Sequence, residues 1–219
     1  MEDARSLAAG PWAVSAFDEA FAAVVGNEGG FGNNPADPGN WTGGAVGAGT
    51  CRGTKWGISA AAYPTLDIEK VTEGDARVIY LARYWTPISA ALLAPALALL
   101  VFDAAVNNGV GRAVMLLQAA VGAEQDGLLG PQTLARVAAA DASATAAEFQ
   151  ARRLLFMVGL PTWHTFGLGW ARRLCRLPFQ AQIMTASLQS REASPSPASP
   201  IEASTRNAPA PKASTPSAA

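Results

Sequence analysis

An apolar helical stripe leads directly into a run of glycines in residues 17–31, FDEAFAAVVGNEGGF. The apolar side chains recur at helical spacings, which predicts an amphipathic helix to about Asn27 that Gly29-Gly30 ends. The stripe consists of Phe17, Phe21, Val24 and Val25. Glu28 stands at the junction, where a rigid helix would hold its carboxylate against a glycine-lined space. A general acid is placed in this way, and the acid that protonates a glycosidic oxygen is usually a Glu or an Asp.

The composition is that of a folded, near-neutral chain, and it argues against several classes of function. Half of the 219 residues are apolar, 15% are charged, and the net charge is −1. This balance gives no sign of nucleic-acid binding, and the sequence has no phosphate-binding loop, dinucleotide fingerprint or zinc-ligand spacing. His164 is the sole histidine and has no nucleophile elbow beside it, which disfavours a Ser-His-Asp site. We therefore expect neither a metal nor an organic cofactor.

Three local features bear on the compartment. Cys51 and Cys175 are either two reduced thiols or, after export to an oxidising compartment, one disulfide, and the sequence leaves both possibilities open. Residues 1–10 begin with an acidic stretch and contain only a short apolar run, which does not resemble a Sec signal. Residues 88–102 are short for a membrane span and contain Pro95, so they predict a buried core helix and no stable membrane insertion.

The chain is predicted to be mainly α-helical, with one long loop and two loose ends. Residues 1–14 are expected to be a flexible leader, and residues 29–53 a functional loop rich in Gly, Asn and Pro that includes a small β-hairpin. Helices are predicted at 72–85, 95–107, 111–121, 143–158 and 162–178, with a further one beginning near Pro131. Residues 184–219 are rich in Pro, Ala and Ser and have no aromatic side chain. They are predicted to be disordered because they cannot bury enough apolar area.

Three motifs in order resemble a known family of enzymes. Glu28-Gly29-Gly30-Phe31 is followed by Asn33-Asn34-Pro35-Ala36-Asp37-Pro38-Gly39 and then by Gly53-Thr54-Lys55-Trp56-Gly57-Ile58-Ser59. Together they resemble the glycoside hydrolase family 108 lysozymes, which are found in phage endolysins and bacterial cell-wall lytic proteins. Residues 102–109 (FDAAVNNG) and residues 116–134, which include DGLLGPQT, resemble the predicted peptidoglycan-binding region paired with that domain.

The resemblance implies a mainly helical, lysozyme-like fold with a long active-site loop or small β-hairpin. It implies a catalytic region at 15–95 and a helical peptidoglycan-binding region packed on it at 96–183. The implied reaction is cleavage of the β-1,4 bond between N-acetylmuramic acid and N-acetylglucosamine. The partner would be the glycan strands of peptidoglycan, with no nucleic acid, and a monomer is expected. A lytic transglycosylase and a non-catalytic wall-binding protein are the alternatives.

The resemblance also suggests roles for three polar residues. Glu28 falls on the family's catalytic glutamate. Asp37 lies where a second acid would stabilise positive charge, although Asp-Pro-Gly is a turn signal in its own right. A Thr is expected six residues further on, but position 43 is Gly, and Thr54 is the candidate for that role. Glu69 and Glu73 are further carboxylates to consider, but each is explained more simply as a residue that begins a helix.

Side chains around the long loop are candidates for binding the sugar. Trp41, Trp56 and Tyr84 offer aromatic faces suited to the CH surface of pyranose rings, and core packing is the alternative explanation. Phe31 is expected to line the site and to raise the pKa of Glu28 by partial burial. Thr42, next to position 43, is a further candidate for contact with the substrate.

The absence of a Sec signal bears on where the enzyme would act. The protein is expected to be made in the cytoplasm and to reach the periplasm or cell wall through a holin-type lesion or another non-Sec route. An endolysin for host-cell lysis would behave in this way. Bacterial wall remodelling is the alternative that the sequence leaves open.

Overall fold

The computed structural model describes residues 13–26 and 30–193. These residues form seven α-helices and one antiparallel hairpin of two short strands. The elements are α1 (Ala13–Val25), β1 (Thr54–Lys55), β2 (Ile58–Ser59), α2 (Glu73–Tyr80), α3 (Pro95–Asn108), α4 (Val110–Ala120), α5 (Pro131–Ala139), α6 (Ala142–Val158) and α7 (Trp163–Ala193). The predicted mainly helical fold with a small β-hairpin is confirmed. The hairpin lies at Thr54–Ser59, directly after the predicted loop of residues 29–53 and not within it.

Helix α3 is the centre of the molecule. All nine residues from Leu97 to Ala105 are buried, and eight of them are apolar, as expected for a helix in the centre of a core. Helices α1, α4, α6 and α7 pack around it. The prediction of a core helix within residues 88–102 is therefore confirmed for the part from Pro95, and Ile88 is buried just before it. No helix in the described part of the chain is long and apolar enough to cross a membrane.

A charged group lies inside this core. The Asp103 carboxylate is fully buried and forms an ion pair with Arg153, which is buried as well, at 2.6 Å. Arg173 donates from Nε to Asp103 Oδ1 at 2.7 Å and from Nη2 to the carbonyl oxygen of Val24 at 3.3 Å. Burial lowers the pKa of Arg153, although the Asp103 carboxylate opposes that shift. Because an unpaired buried charge is costly, this network fixes α3, α6, α7 and the end of α1 relative to one another.

Helix α1 ends earlier than the sequence predicted. Its apolar face is buried as expected, and the Phe17 ring lies 5.5 Å from Trp85 and 6.1 Å from Phe102, centroid to centroid. The helix ends at Val25, and Gly26 adopts φ +81° and donates its N–H to the carbonyl of Ala22 at 3.0 Å. The predictions that the helix reaches Asn27 and that Gly29-Gly30 ends it are wrong. Gly26 is the first residue able to adopt the left-handed conformation that ends a helix without strain.

Helix α7 is longer than the sequence predicted. It continues through Pro178 to Ala193, although the composition suggested a helix to 178 and disorder from 184. Met184 and Leu188 are buried in the same core as Leu177, so their packing stabilises the extra turns. The predicted start of the tail at 184 is therefore wrong by ten residues or so, because helical spacing outweighed composition there. Residues 1–12 of the predicted leader and 194–219 of the predicted tail lie outside the described residues.

One apolar core joins the two predicted regions. It includes Phe17 and Phe21 from before residue 95 and Leu117, Phe149 and Leu177 from after it. The division into a catalytic region at 15–95 and a peptidoglycan-binding region at 96–183 stays a prediction.

Candidate active site

The loop from Gly30 to Gly53 is a folded structure organised by Asn40. This side chain is 3% exposed. Its Nδ2 donates to the carbonyl of Asn34 at 3.0 Å, and its Oδ1 accepts from the Thr54 hydroxyl at 2.7 Å. Its backbone carbonyl accepts from the N–H groups of Arg52 and Gly53 at 2.8 and 3.1 Å. One residue thus ties together the start of the loop, its end and strand β1.

Backbone pairing closes the loop on both sides of Asn40. Gly32 and Thr54 exchange N–H to carbonyl bonds of 2.9 and 2.8 Å. Thr42 and Thr50 are joined by a backbone bond of 3.0 Å and by a bond of 2.9 Å from the Thr50 N–H to the Thr42 hydroxyl oxygen. The Thr42 hydroxyl therefore has a structural partner within the loop.

Phe31 lies directly on Gly53. A Cβ atom at Gly53 would lie 2.6 Å from the Phe31 ring, and Gly53 has φ +82°. Only glycine fits both the backbone conformation and the space. The Phe31 side chain is 40% exposed, so one part of the ring packs on the loop and another faces solvent.

The hairpin turn is held by a tyrosine from α2. Trp56 and Gly57 connect β1 to β2 with φ of +53° and +72°, the type I′ geometry of a two-residue hairpin. Positive φ is uncommon for a residue such as Trp56. The Tyr80 hydroxyl donates to the Trp56 carbonyl at 3.1 Å, and burial raises the pKa of Tyr80 to about 12. Tyr80 therefore fixes the turn from the core side.

Glu28 lies outside the described residues, between two glycines whose positions are defined. On one side, Gly26 follows α1, whose Val24 carbonyl is bound by Arg173. On the other side, Gly30 leads to Gly32, which is paired with Thr54. The core and the hairpin thus fix both ends of the segment that carries Glu28.

Asp37 and Thr54 each have a local structural role. Asp37 is exposed and begins a short 3-10 helix, where its Oδ1 accepts from the N–H of Gly39 at 2.9 Å. Its Oδ2 has no partner among the described residues. The Thr54 hydroxyl donates a hydrogen bond to Asn40 Oδ1. The turn explanation of Asp37 therefore describes its local contacts, and a catalytic role for either residue stays a prediction.

A polar depression of about 410 Å³ lies beside the loop. It is lined by Phe31, Asn33, Cys51, Arg52, Thr65, Asp67, Ile68 and Glu69. Asp67 pairs with Lys70 at 2.8 Å, and this hydrogen bond lowers the pKa of the carboxyl. Glu69 lies in a one-turn 3-10 helix, and its backbone carbonyl accepts from Lys55 Nζ at 2.7 Å. The sequence analysis interpreted Glu69 as a residue that begins a helix, which its position in the 3-10 helix confirms, and did not consider Asp67. Only the folded chain brings both carboxylates beside Phe31.

The other aromatic candidates, Trp41, Trp56 and Tyr84, do not line the depression. Trp41 is partly exposed and donates its Nε1–H to the carbonyl of Pro35 at 2.8 Å. The Tyr84 ring lies 5.3 Å from Tyr80 and is partly buried. Trp56 packs against the core from the hairpin turn. Of the five predicted substrate-binding residues, the structure brings only Phe31 to the depression.

In the described part of the chain, the cysteines form no disulfide and the acidic groups form no metal site. Cys51 and Cys175 are free thiols, and Cys51 donates to Asn33 Oδ1 at 2.7 Å. The disulfide that the sequence left open is therefore not formed. No cluster of three His, Cys, Asp or Glu residues suited to a metal ion occurs within residues 13–26 and 30–193.

The stretch around Asp126 is held by hydrogen bonds to one buried side chain, that of Gln118. Gln118 is 1% exposed, and its Nε2 donates to Asp126 Oδ1 at 2.7 Å and to the Leu128 carbonyl at 3.0 Å. Its Oε1 accepts from the Gly127 N–H at 3.0 Å. The buried Gln118 therefore holds the turn before α5, and glycan contact by this stretch stays a prediction.

Comparison with known proteins places the chain in an enzyme family. The model of the family described as Glycosyl hydrolase 108 matches residues 21–109, which include the end of α1, the long loop, the hairpin, α2 and α3. The solved structure of Brucella abortus SagA is 30% identical in sequence, covers 78% of this chain and 97% of its own, and superposes with a TM-score of 0.66. No curated protein matches the chain.

The chain belongs to the glycosyl hydrolase 108 family, as its three motifs suggested. It is a glycoside hydrolase that acts on peptidoglycan.

Proposed function

We propose that this hydrolase is an N-acetylmuramidase that cleaves the β-1,4 bond between N-acetylmuramic acid and N-acetylglucosamine, with Glu28 as general acid. The observation that carries the proposal is the fixing of both ends of the Glu28 segment. Arg173 binds α1 two residues before Gly26, and Thr54 pairs with Gly32 two residues after Gly30. A general acid must be held at a defined place beside the scissile bond.

The chemistry requires two groups with different tasks. Glu28 protonates the oxygen of the leaving sugar, and a carboxylate stabilises the oxocarbenium-like transition state or activates water. Asp37 is our candidate for the second task, since its Oδ2 is without a partner in the described chain while Oδ1 is used by Gly39. Asp67 and Glu69 are the other carboxylates beside the loop.

The depression beside the loop is our candidate seat for the glycan strand. Phe31 offers a partly exposed ring next to Asn33 and Arg52, which supply an amide and a cation. Apolar faces with a few polar groups are typical of sugar and ligand sites. Trp41 and Thr42 lie further along the same folded loop, and helices beyond residue 96 are proposed to extend the contact with peptidoglycan.

Glu28→Gln tests the assignment of the acid. Gln keeps the shape of Glu but has no proton to donate, so lysis of chloroform-treated Gram-negative cells should fall by roughly two orders of magnitude or more. The melting temperature should not change. Glu73→Gln is the matched control, because Glu73 is exposed, pairs with Arg77 and does not line the depression beside the loop. A Glu28→Gln enzyme within a few-fold of wild type would exclude Glu28 as the acid.

Product analysis tests the reaction type. A muramidase uses water as the final acceptor and leaves a reducing N-acetylmuramic acid end on purified sacculi. A lytic transglycosylase uses the 6-hydroxyl of the sugar itself and leaves a 1,6-anhydro end that is lighter by one water. Dominant anhydro products would contradict the muramidase assignment, and sacculi that bind protein without fragment release would indicate a wall-binding protein.

We also propose that the enzyme serves cell lysis and reaches the wall after release through a holin-type lesion or another non-Sec route. Expression in Escherichia coli should cause lysis only when a holin is co-expressed. Lysis of equal speed without a holin would contradict this route.

A further inference from the structure

Helix α7 carries apolar side chains on the face that points away from the core. Leu168, Phe179 and Ile183 are 68%, 67% and 70% exposed. Residues 168, 172, 175, 179 and 183 recur at intervals of three and four, which places them along one face of the helix. The opposite face buries Leu174, Leu177, Ala181, Met184 and Leu188. We call Leu168, Arg172, Cys175, Arg176, Phe179 and Ile183 the outer stripe.

The outer stripe is also positively charged. Between residues 163 and 191 the sequence has four arginines and no Asp or Glu. Arg173 is bound to Asp103, and Arg191 lies 3.1 Å from Glu19. Arg172 and Arg176 are exposed and form no ion pair within residues 13–26 and 30–193. A chain of net charge −1 therefore concentrates unpaired cations beside exposed apolar side chains.

The connection between α6 and α7 adds apolar surface near Leu168. Leu155 and Val158, in the last turns of α6, are 75% and 47% exposed, and Phe166 in the first turn of α7 is 53% exposed. The turn at 159–162 brings these helix ends together, with the Trp163 N–H bound to the Leu160 carbonyl at 3.0 Å. Exposed apolar area of this kind commonly marks an interaction surface.

We propose that the outer stripe binds an anionic phospholipid surface. Aliphatic and aromatic side chains interleaved with arginines, on one face of a helix, match the boundary between lipid headgroups and acyl chains. A second copy of the chain fits less well, because two-fold pairing of this stripe would bring like charges together. A glycan strand fits less well because Leu and Ile lack the flat faces on which sugars stack. Association would be peripheral, since no described helix is suited to spanning a membrane.

Sedimentation of the full chain with lipid vesicles tests the proposal. The protein should bind vesicles of phosphatidylcholine and phosphatidylglycerol in a 3:1 ratio at low salt, and much less to phosphatidylcholine alone. Arg172→Gln/Arg176→Gln should weaken binding by roughly fivefold for each arginine, as expected for cations near an anionic surface. Phe179→Ser/Ile183→Ser should weaken it by at least tenfold, because the apolar contact is lost.

The matched control is Val78→Ser/Arg136→Gln, which makes the same kinds of change on α2 and α5. Val78 is 67% exposed and Arg136 is exposed, and this variant should bind vesicles within twofold of wild type. Circular dichroism and the melting temperature establish that every variant is folded. Absence of binding to the anionic vesicles, or equal binding by stripe and control variants, overturns the proposal. It is also overturned if light scattering shows a dimer that only the stripe variants dissociate. Vesicle binding does not depend on Glu28, so the result is independent of the proposed reaction.

Discussion

Thr54 is a candidate for catalysis, and in the structure its side chain also holds the loop in place through a hydrogen bond whose contribution to stability can be measured. Its hydroxyl donates to Asn40 Oδ1 at 2.7 Å, and Asn40 is 3% exposed. Thr54→Val keeps the shape of the side chain but leaves a buried acceptor unpaired, which should cost about 1–3 kcal/mol in the free energy of unfolding. Asn40→Ala removes the same bond and the one to the Asn34 carbonyl, and should cost about 2–4 kcal/mol.

Urea denaturation of the two single variants and the double variant measures this coupling. Because both single variants break the same bond, their effects should be non-additive by about 1 kcal/mol or more. Thr54→Ser retains the donor and is the control, with a loss below that of Thr54→Val. Activity on solubilised peptidoglycan should fall in parallel for Thr54→Val and Asn40→Ala, since both loosen the loop.

Two results would refute this reasoning. Unfolding of Thr54→Val with the wild-type free energy would show that the bond does not hold the loop. Alternatively, Thr54→Val could lose activity at full stability while Asn40→Ala stays active, which would indicate that the Thr54 hydroxyl acts on the substrate.

Three further predictions concern the turn at Asp37, the Tyr80 hydroxyl and the end of α7. Asp37→Asn should preserve the turn and the melting temperature, because the Asn side chain also accepts from the backbone there. A steep loss of activity would then support a catalytic role for Asp37, and a near-wild-type rate would exclude it. The folded chain holds the Tyr80 proton more tightly than the unfolded chain, with a pKa of about 12 against the usual 10.0. This difference adds up to about 3 kcal/mol to the free energy of unfolding, which is fully present below pH 10 and is lost as the pH rises to 12. The loss should be absent in Tyr80→Phe. Deleting 194–219 should leave the melting temperature unchanged, whereas deleting 184–219 removes the buried Met184 and Leu188 and should lower it by roughly 10 °C. Equal melting temperatures for the two truncations would contradict the packing of α7.

Local sequence signals were sufficient for most of the helices. Residues 95–102 contain no polar side chain, so their burial was expected, and they form the first part of the central helix α3. The start of α5 at Pro131 and the end of α3 at Asn108, before Gly109, agree with the predicted boundaries to within one residue, because proline and glycine act through their own backbone geometry. The three motifs identified the family, since their order is a property of the sequence alone.

Contacts between distant segments were decided only by the tertiary structure. The pairing of Asp103 with Arg153 and Arg173 joins residues 50 and 70 positions apart, and no local pattern records such a pair. The end of α7 at Ala193 depended on burial of Leu188, which composition does not report. Likewise, resemblance to the family could nominate Asp37 and Thr54, but only the fold shows that Gly39 and Asn40 bind their oxygens. Backbone conformation follows from neighbouring residues, whereas the partner of a side chain depends on where the rest of the chain packs.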